Sequence, residues 1–392
     1  MVYTRQHIER FLFILALYAY AIASYYIMPA IDNSAEMEAI DTVYPEFFSI
    51  LMSIPYFMLA FREIFRRNLN KTIILFLLFG IWGIVSTILN YSAKSYIVFA
   101  AMPIFPLLMS YTYARKYELD NGICTVFFLS FVLISYRYLQ IYQVAHGFFD
   151  AIIGVSYFVP IVLPLVLLCP SKVIRIIGWL VTFIVIFSSG KRGGLIAVLA
   201  SVIIYIFCKQ IISNKNKIQS IIIILAALTT LLTCTIYVFN TYGSEIVERM
   251  MQLRTDGGSG RLYIWELVIR DLMQSDSLSF INGHGYFSVR LLTADTGLPA
   301  HNDFLEIFYD FGLIGIVMYV LTWISLISQF FRMLRAKNKM TPVFAVMLTE
   351  FFIFSMVSIV YFYFYIVYIC IFIGIIIGQI ELAAANQEIT NE

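Results

Sequence analysis

IIIILAALTTLL, residues 221–232, decides the fold. Its apolar residues run on without alternation, whereas a strand of a membrane barrel would alternate lipid-facing and lumen-facing residues over about ten positions. As a helix the same stretch satisfies its own backbone hydrogen bonds, as a hydrocarbon core demands. Apolar runs of about 18 or more residues, enough to cross roughly 30 Å of hydrocarbon, recur along nearly the whole chain. The 392 residues are 61% hydrophobic and 13% charged, with a mean hydropathy of +0.86. An ordinary soluble domain has about 45–50% apolar and about 25% charged residues. The expectation is an all-α polytopic membrane protein, a single transmembrane helical domain over 1–392. Spans are expected near 9–30, 47–61, 72–90, 95–113, 122–140, 150–169, 173–188, 194–209, 218–239, 304–330, 342–360 and 362–381, about twelve helices in all.

Near the N-terminus, Arg5 and Arg10 precede an apolar segment, and Ala21-Ile22-Ala23 mimics a signal-peptidase site. The apolar run continues to Ala30 and many spans follow, so a retained helix is expected. Cys124, Cys169, Cys208, Cys234 and Cys370 lie in or beside apolar spans without C-x-x-C spacing and read as small apolar residues. His7, His146, His284 and His301 show no paired spacing, so neither a metal nor a cofactor is expected.

The net charge of +2 says little; its distribution says more. An even number of spans puts both termini on one side. Most of the 26 Lys and Arg fall on that side, which the positive-inside rule makes cytoplasmic. The remainder concentrate in two outer segments: the short basic loop SSGKRGG (188–194) and one long loop (240–303) holding Arg249, Arg254, Arg261, Arg270 and Arg290. Cations in outer loops oppose the topology bias, which argues that they have work to do there. The long loop contains RLYIWELVIRDLMQ (261–274), behind Ser259-Gly260 as a cap region, with Leu262, Trp265, Ile269 and Leu272 at helical spacing. A partly helical lid on the outer end of the bundle is expected.

Three elements converge on that outer face. In SSGKRGG, Gly190, Gly193 and Gly194 would let the backbone approach a ligand, while Lys191 and Arg192 bring charge to a helix start, whose free amides favour anions. A Lys/Arg pair at a span end is more often a snorkelling anchor. Arg254 and Arg261 offer guanidinium forks suited to phosphate or pyrophosphate oxygens, against the alternative of ordinary surface pairs. PAHNDFLEIF (299–308) places His301 just ahead of a helix in which Asp303 and Glu306 resemble a capping box. The positive end of that helix would keep the imidazole neutral, with Asn302 or an acid fixing its tautomer, so His301 is the candidate general base. His284, flanked by glycines in INGHGYF, reads first as a tight turn and second as an alternative base. Two cationic elements, a base and an apolar bundle fit a substrate that is part lipid and part polyanion, such as a sugar on a polyprenyl pyrophosphate.

The order SSGKRGG, then GRLYIW, NGHGYF and PAHNDFLEIFYDFGLIGIV leading into a span, resembles the O-antigen polymerases and the related O-antigen ligases over about residues 188–320. That resemblance implies a metal-independent, membrane-embedded glycosyltransferase of the GT-C-like type, acting on undecaprenyl-pyrophosphate-linked oligosaccharide at the periplasmic face of a bacterial inner membrane. It assigns the two pyrophosphate-binding arginines to Arg192 and Arg261 and the catalytic histidine to His301. Where the family often has S-R-G, this chain has Gly190-Lys191-Arg192-Gly193, which leaves both Lys191 and Arg192 as candidates. The implied partners are the lipid-linked oligosaccharide, membrane lipid and a chain-length regulator protein, with no nucleic acid.

The leading expectation is a surface-polysaccharide polymerase; a ligase that delivers the glycan to a lipid A core shares the same chemistry. A second enzyme class would take its base from the acidic loop IDNSAEMEAIDTVYPE (31–46), through Asp32, Glu36, Glu38, Asp41 or Glu46, although a solvated loop is the blander account. A flippase for the same lipids is the non-enzymatic alternative, with Pro160 and Pro164 interrupting one span.

Overall fold

The computed structural model describes residues 2–27, 50–60, 69–90, 101–144, 156–189, 191–213, 261–293, 297–361 and 364–391. The described elements are all helices. The first eight are α1 (Val2–Ile27), α2 (Ile50–Ala60), α3 (Lys71–Leu89), α4 (Ile104–Ala114), α5 (Asn121–Val144), α6 (Phe158–Leu167), α7 (Lys172–Ser189) and α8 (Arg192–Ser213). After the loop come α9 (Arg261–Gln274), α10 (Ser277–Asn282), α11 (Ser288–Leu292), α12 (Asp303–Arg335), α13 (Thr341–Val357) and α14 (Tyr365–Asn391).

Seven of these, α1, α3, α5, α7, α8, α12 and α14, are long and apolar enough to cross a membrane; α2, α6 and α13 are shorter apolar helices. The protein is therefore a multi-pass membrane protein. Each coincides with an expected span, as does α4 with the span near 95–113. The expected span at 218–239 and the acidic loop with Asp32, Glu36, Glu38, Asp41 and Glu46 lie outside the described residues.

Helix α6 is buried along its whole length, and α14 is buried from Tyr365 to Gln379. Gly374 and Gly378 bring α14 against the backbone of α4: a Cβ at Gly374 would lie 2.6 Å from the Leu107 carbonyl, and one at Gly378 would lie 2.8 Å from the Arg115 amide. Small residues four apart replace hydrophobic drive, which lipid does not supply, with close backbone packing. Asn70 caps α3 by accepting from the Thr72 amide at 3.0 Å. At its other end α3 carries Trp82 and Ser86, which reach α12. The four described cysteines, Cys124, Cys169, Cys208 and Cys370, are buried, as expected of small apolar residues.

The departure from the expected continuous span at 304–330 is a break in α12. Gly312 sits at φ 68°, ψ −167°, outside helical space. A break frees carbonyls that must find partners. The Tyr309 carbonyl accepts from the His284 amide (3.1 Å), and the Asp310 carbonyl from the Gly285 amide (2.8 Å) and the Ser86 hydroxyl (3.0 Å). The Phe311 carbonyl accepts from Trp82 Nε1 at 2.8 Å. NGHGYF thus lies in the notch of the broken helix. The approach is closest between Gly283 (φ 82°) and Gly312, where a Cβ on either would run into the backbone of the other segment.

Candidate functional site

Helix α9 sets the first wall of the site. It is described from Arg261 and ends at Gln274, as the sequence pattern has it, while the expected cap region Ser259-Gly260 lies outside the described residues; the buried stripe is Ile264, Val268 and Leu272, with Trp265 half-buried. Leu262 and Ile269, noted for their helical spacing, are exposed. The reason is spacing: positions 264, 268 and 272 repeat every four residues and meet Val289, Ala300 and Tyr309 in one apolar cluster. Two hydrogen bonds fix the helix: Trp265 Nε1 donates to the Ala300 carbonyl at 2.7 Å, and Tyr309 Oη to Asp271 Oδ2 at 2.8 Å. Both hold the first residue of α9, Arg261, beside the segment that carries His301.

His301 has φ 53°, a left-handed conformation uncommon outside glycine, immediately before the extended Asn302 (φ −154°). Asn302, not Asp303, is the N-cap of α12: its side chain accepts from the Leu305 amide at 3.2 Å. The expected capping box is therefore displaced by one residue, and Asn302 does not fix the imidazole tautomer. Glu306 reaches back beyond the cap to the Ala300 amide at 2.6 Å, and its second oxygen, Oε1, has no hydrogen-bond partner among the described residues. Asp303 turns inward, fully buried, and accepts from Ser355 Oγ (2.7 Å), the Val360 amide (2.8 Å) and the Tyr361 amide (3.3 Å). It ties the start of α12 to the end of α13. Neither acid bonds to His301, whose ring is left facing the cations around it.

Those cations are Arg261, Lys191 and Arg290. Burial is the main cause that lowers the His301 pKa from about 6.5 to about 4, and the charges of Arg261, Lys191 and Arg290 add to it in that order. The imidazole is thus neutral at physiological pH, as the sequence led one to expect. The helix end is not among the causes: burial and three side-chain charges do the work. Arg261 is itself partly desolvated, and burial pulls its pKa below the usual guanidinium value, with Tyr157 opposing.

Lys191 closes the second wall, its ammonium 5.3 Å from the centre of the Tyr157 ring. Of Arg192 only the backbone, which opens α8, is described; Gly190 and Arg254 lie outside the described residues. Gly193 and Gly194 have a packing explanation in place of the expected ligand approach. A Cβ on Gly193 would come within 2.8 Å of Val357 and 3.2 Å of the Tyr157 hydroxyl, and one on Gly194 within 2.8 Å of Ile186.

Sequence reasoning did not single out Arg290 or Tyr157. Arg290 is delivered by α11, a helix with no side-chain cap of its own. Its start is held from across the notch by Asp310, which accepts from the Phe287 amide at 2.7 Å and the Val289 amide at 3.3 Å. The guanidinium lies 4.6 Å from the centre of the Phe287 ring, and its charge acts on Glu306 as well as on His301. Its only signal in the sequence was a lone cation next to NGHGYF; Tyr157 had none, being one of 27 tyrosines. His284, the second-choice base, is used structurally. Its ring stacks on Tyr309 at 4.3 Å, Nδ1 faces the Tyr309 carbonyl at 3.1 Å and Nε2 faces Ser275 Oγ at 3.2 Å. A carbonyl only accepts, so Nδ1 carries the proton.

What the arrangement offers is a neutral imidazole among several positive charges at one end of a helical bundle. Such a set can hold a polyanion and accept a proton beside it. A comparison with curated proteins found no match. Residues 177–320, which hold His301, Lys191, Arg261 and Arg290, match the model of a protein family described as O-antigen ligase, within the O-antigen polymerase and ligase superfamily that the sequence motifs resemble.

Proposed function

We propose that the protein is a surface-polysaccharide polymerase, moving a growing glycan from undecaprenyl pyrophosphate onto a carrier-linked repeat unit at the periplasmic face of the inner membrane, with both termini cytoplasmic. The observation that carries this reading is the half-buried His301, kept neutral amid Arg261, Lys191 and Arg290. In the reaction a hydroxyl oxygen of the acceptor sugar attacks the anomeric carbon of the donor. The bond from that carbon to the pyrophosphate oxygen breaks, the electron pair leaves with the pyrophosphate, and the hydroxyl proton goes to His301. Arg261, Lys191 and Arg290 stabilise the departing charge, with Arg192 and Arg254 as further candidates for the same role. Electrostatic stabilisation of the leaving group is the larger catalytic contribution, and base help is worth roughly 10²–10⁴.

The same cations tune the base. Burial first, and these charges after it, hold the His301 pKa near 4, too low for strong proton affinity. A bound pyrophosphate offsets the cations' part of that lowering while burial still holds the imidazole down, so the base is somewhat stronger when the donor is in place. Delivery of the glycan to a lipid A core is the second reading, favoured by the description of the matching family. Purified protein reconstituted with a carrier-linked repeat and no other acceptor separates the two. A ladder of lengthening glycans that disappears in His301→Ala supports the polymerase. Transfer only after a lipid A core is added supports the ligase, and an unaltered ladder in His301→Ala removes the histidine from the mechanism.

A further inference from the structure

A cavity lies at the opposite end of the bundle from His301, with a volume of about 630 Å³. It is formed where the end of α6, the start of α7, the end of α8, the α12–α13 turn and the end of α14 meet. Its cationic residues come from separate elements: Arg175 on α7, Lys209 on α8 and Lys339 in the turn before α13. Glu118 is the single carboxylate in the lining. The remaining wall is largely apolar, with Leu167, Leu168, Val343 and Leu382 among its members.

Three neighbouring cations are used in ion pairs. Arg10 meets Asp120 at 2.9 Å, Arg115 meets Glu381 at 3.1 Å, and Lys116 meets Glu9 at 3.3 Å. Arg175, Lys209 and Lys339 have no ion-pair partner among the described residues. Arg175 spends one N–H on the Pro170 carbonyl at 3.1 Å, and Lys209 lies 5.7 Å from the centre of the Tyr205 ring, neither of which neutralises its charge. Three unpaired positive charges around one concavity, with an apolar wall beside them, match the two ends of a single class of molecule.

We propose that this cavity binds the phosphate headgroup of an anionic phospholipid, with Arg175, Lys209 and Lys339 facing the phosphate and the first acyl methylenes against Leu167, Leu168 and Leu382. A phosphate accepts from a guanidinium and two ammonium groups at once, and basic pockets between membrane helices suit acidic headgroups for that reason. The site is distinct from the one around His301 and needs no catalytic step.

Native mass spectrometry of the full chain, from micelles holding equal dioleoylphosphatidylglycerol and dioleoylphosphatidylcholine, tests the assignment. Phosphatidylglycerol adducts should dominate, and inorganic phosphate at the same concentration should not displace them. The double variant Lys209→Gln/Lys339→Gln alters two exposed side chains and should lose the preference by roughly thirtyfold, about fivefold for each cation at an acidic lipid headgroup. Arg332→Gln/Arg335→Gln makes the same change of charge at the same end of the bundle but outside the cavity, and should retain it. Equal adducts of the two lipids, displacement by inorganic phosphate, or equal loss in both double variants would overturn the proposal.

Discussion

Replacing Asp303 by alanine should destabilise the protein by about 2–5 kcal/mol without touching the reacting groups. The side chain is fully buried and accepts from Ser355 Oγ at 2.7 Å, from the Val360 amide at 2.8 Å and from the Tyr361 amide at 3.3 Å. Ser355 can turn to Tyr319, whose hydroxyl is 3.1 Å away, so its loss is small. The Val360 amide cannot turn. A buried donor left without an acceptor costs about 1–3 kcal/mol, and the two amide bonds together with the small void account for the range. Asp303→Asn keeps one acceptor for Val360 and should cost only about 1–2 kcal/mol. The assay is reversible unfolding in mixed micelles, followed by tryptophan fluorescence, with wild type and both variants side by side. An alanine variant within about 0.5 kcal/mol of wild type, the size of an ordinary surface change, would refute the claim that Asp303 clamps α12 to the end of α13. So would an asparagine variant as damaged as the alanine one.

Gly312→Ala should prevent accumulation of folded protein, because its φ of 68° is unfavourable for alanine and the new Cβ would meet the Ile281 carbonyl and the Gly283 amide; a normal yield of monodisperse protein would refute the break. The acid limb of kcat/KM for the proposed transfer should lie near pH 4, where free His301 titrates, and the limb of kcat should lie higher, once pyrophosphate offsets the cations. His301 also contributes to stability with a definite sign: its folded value lies below the free histidine's 6.5, so that contribution is full above about pH 6.5 and is lost as pH falls toward about 4. A pH titration of unfolding free energy on wild type and His301→Gln checks this, the variant lacking the slope in that window. His284→Phe should keep the stacking on Tyr309 and lose the bonds to Ser275 and the Tyr309 carbonyl, lowering stability by about 1–3 kcal/mol while kcat falls less than tenfold. A loss of activity as deep as that of His301→Ala would return His284 to the role of base.

Much of this is legible in the sequence because the bilayer is a demanding solvent. Apolar runs long enough to span it have few other uses, and the described apolar helices fall on expected spans. Helix α9 was legible for a different reason, its apolar residues at helical spacing, but that spacing did not tell which face packs: Leu262 and Ile269 are exposed while Ile264 and Val268 are packed. An outer helix with apolar residues on both faces gives no internal sign of which face meets the protein. The break at Gly312 was not visible at all. DFGLIGIV reads as an uninterrupted start of a span, and the segment that fills the notch lies nearly thirty residues earlier, so the pairing of Gly283 with Gly312 is a tertiary fact. The roles of the three acids of α12 were hidden likewise. Asp303 and Glu306 look like helix-start charge and Asp310 gave no sign of a role, yet each is used against a different partner: the end of α13, the amide of Ala300 and the start of α11. Arg290 follows from the last of these, since only Asp310 explains why α11 starts where it does.

The length of α12 gives its break a meaning in depth. Its 33 residues, as one rod, would extend about 50 Å, well beyond the roughly 30 Å of a hydrocarbon core. Counted from the glycine to Arg335, the remaining segment is about 35 Å long and needs only a modest tilt to fit. The first nine residues are then free to lie at the waterline, level with the headgroups. In the proposed reaction a sugar hydroxyl would meet the imidazole there while the polyprenyl tail of the same molecule stayed among the acyl chains, so neither half of the proposed substrate would have to leave its preferred solvent. On that proposal the kink is a depth gauge, setting the height at which two immiscible parts of one substrate would meet.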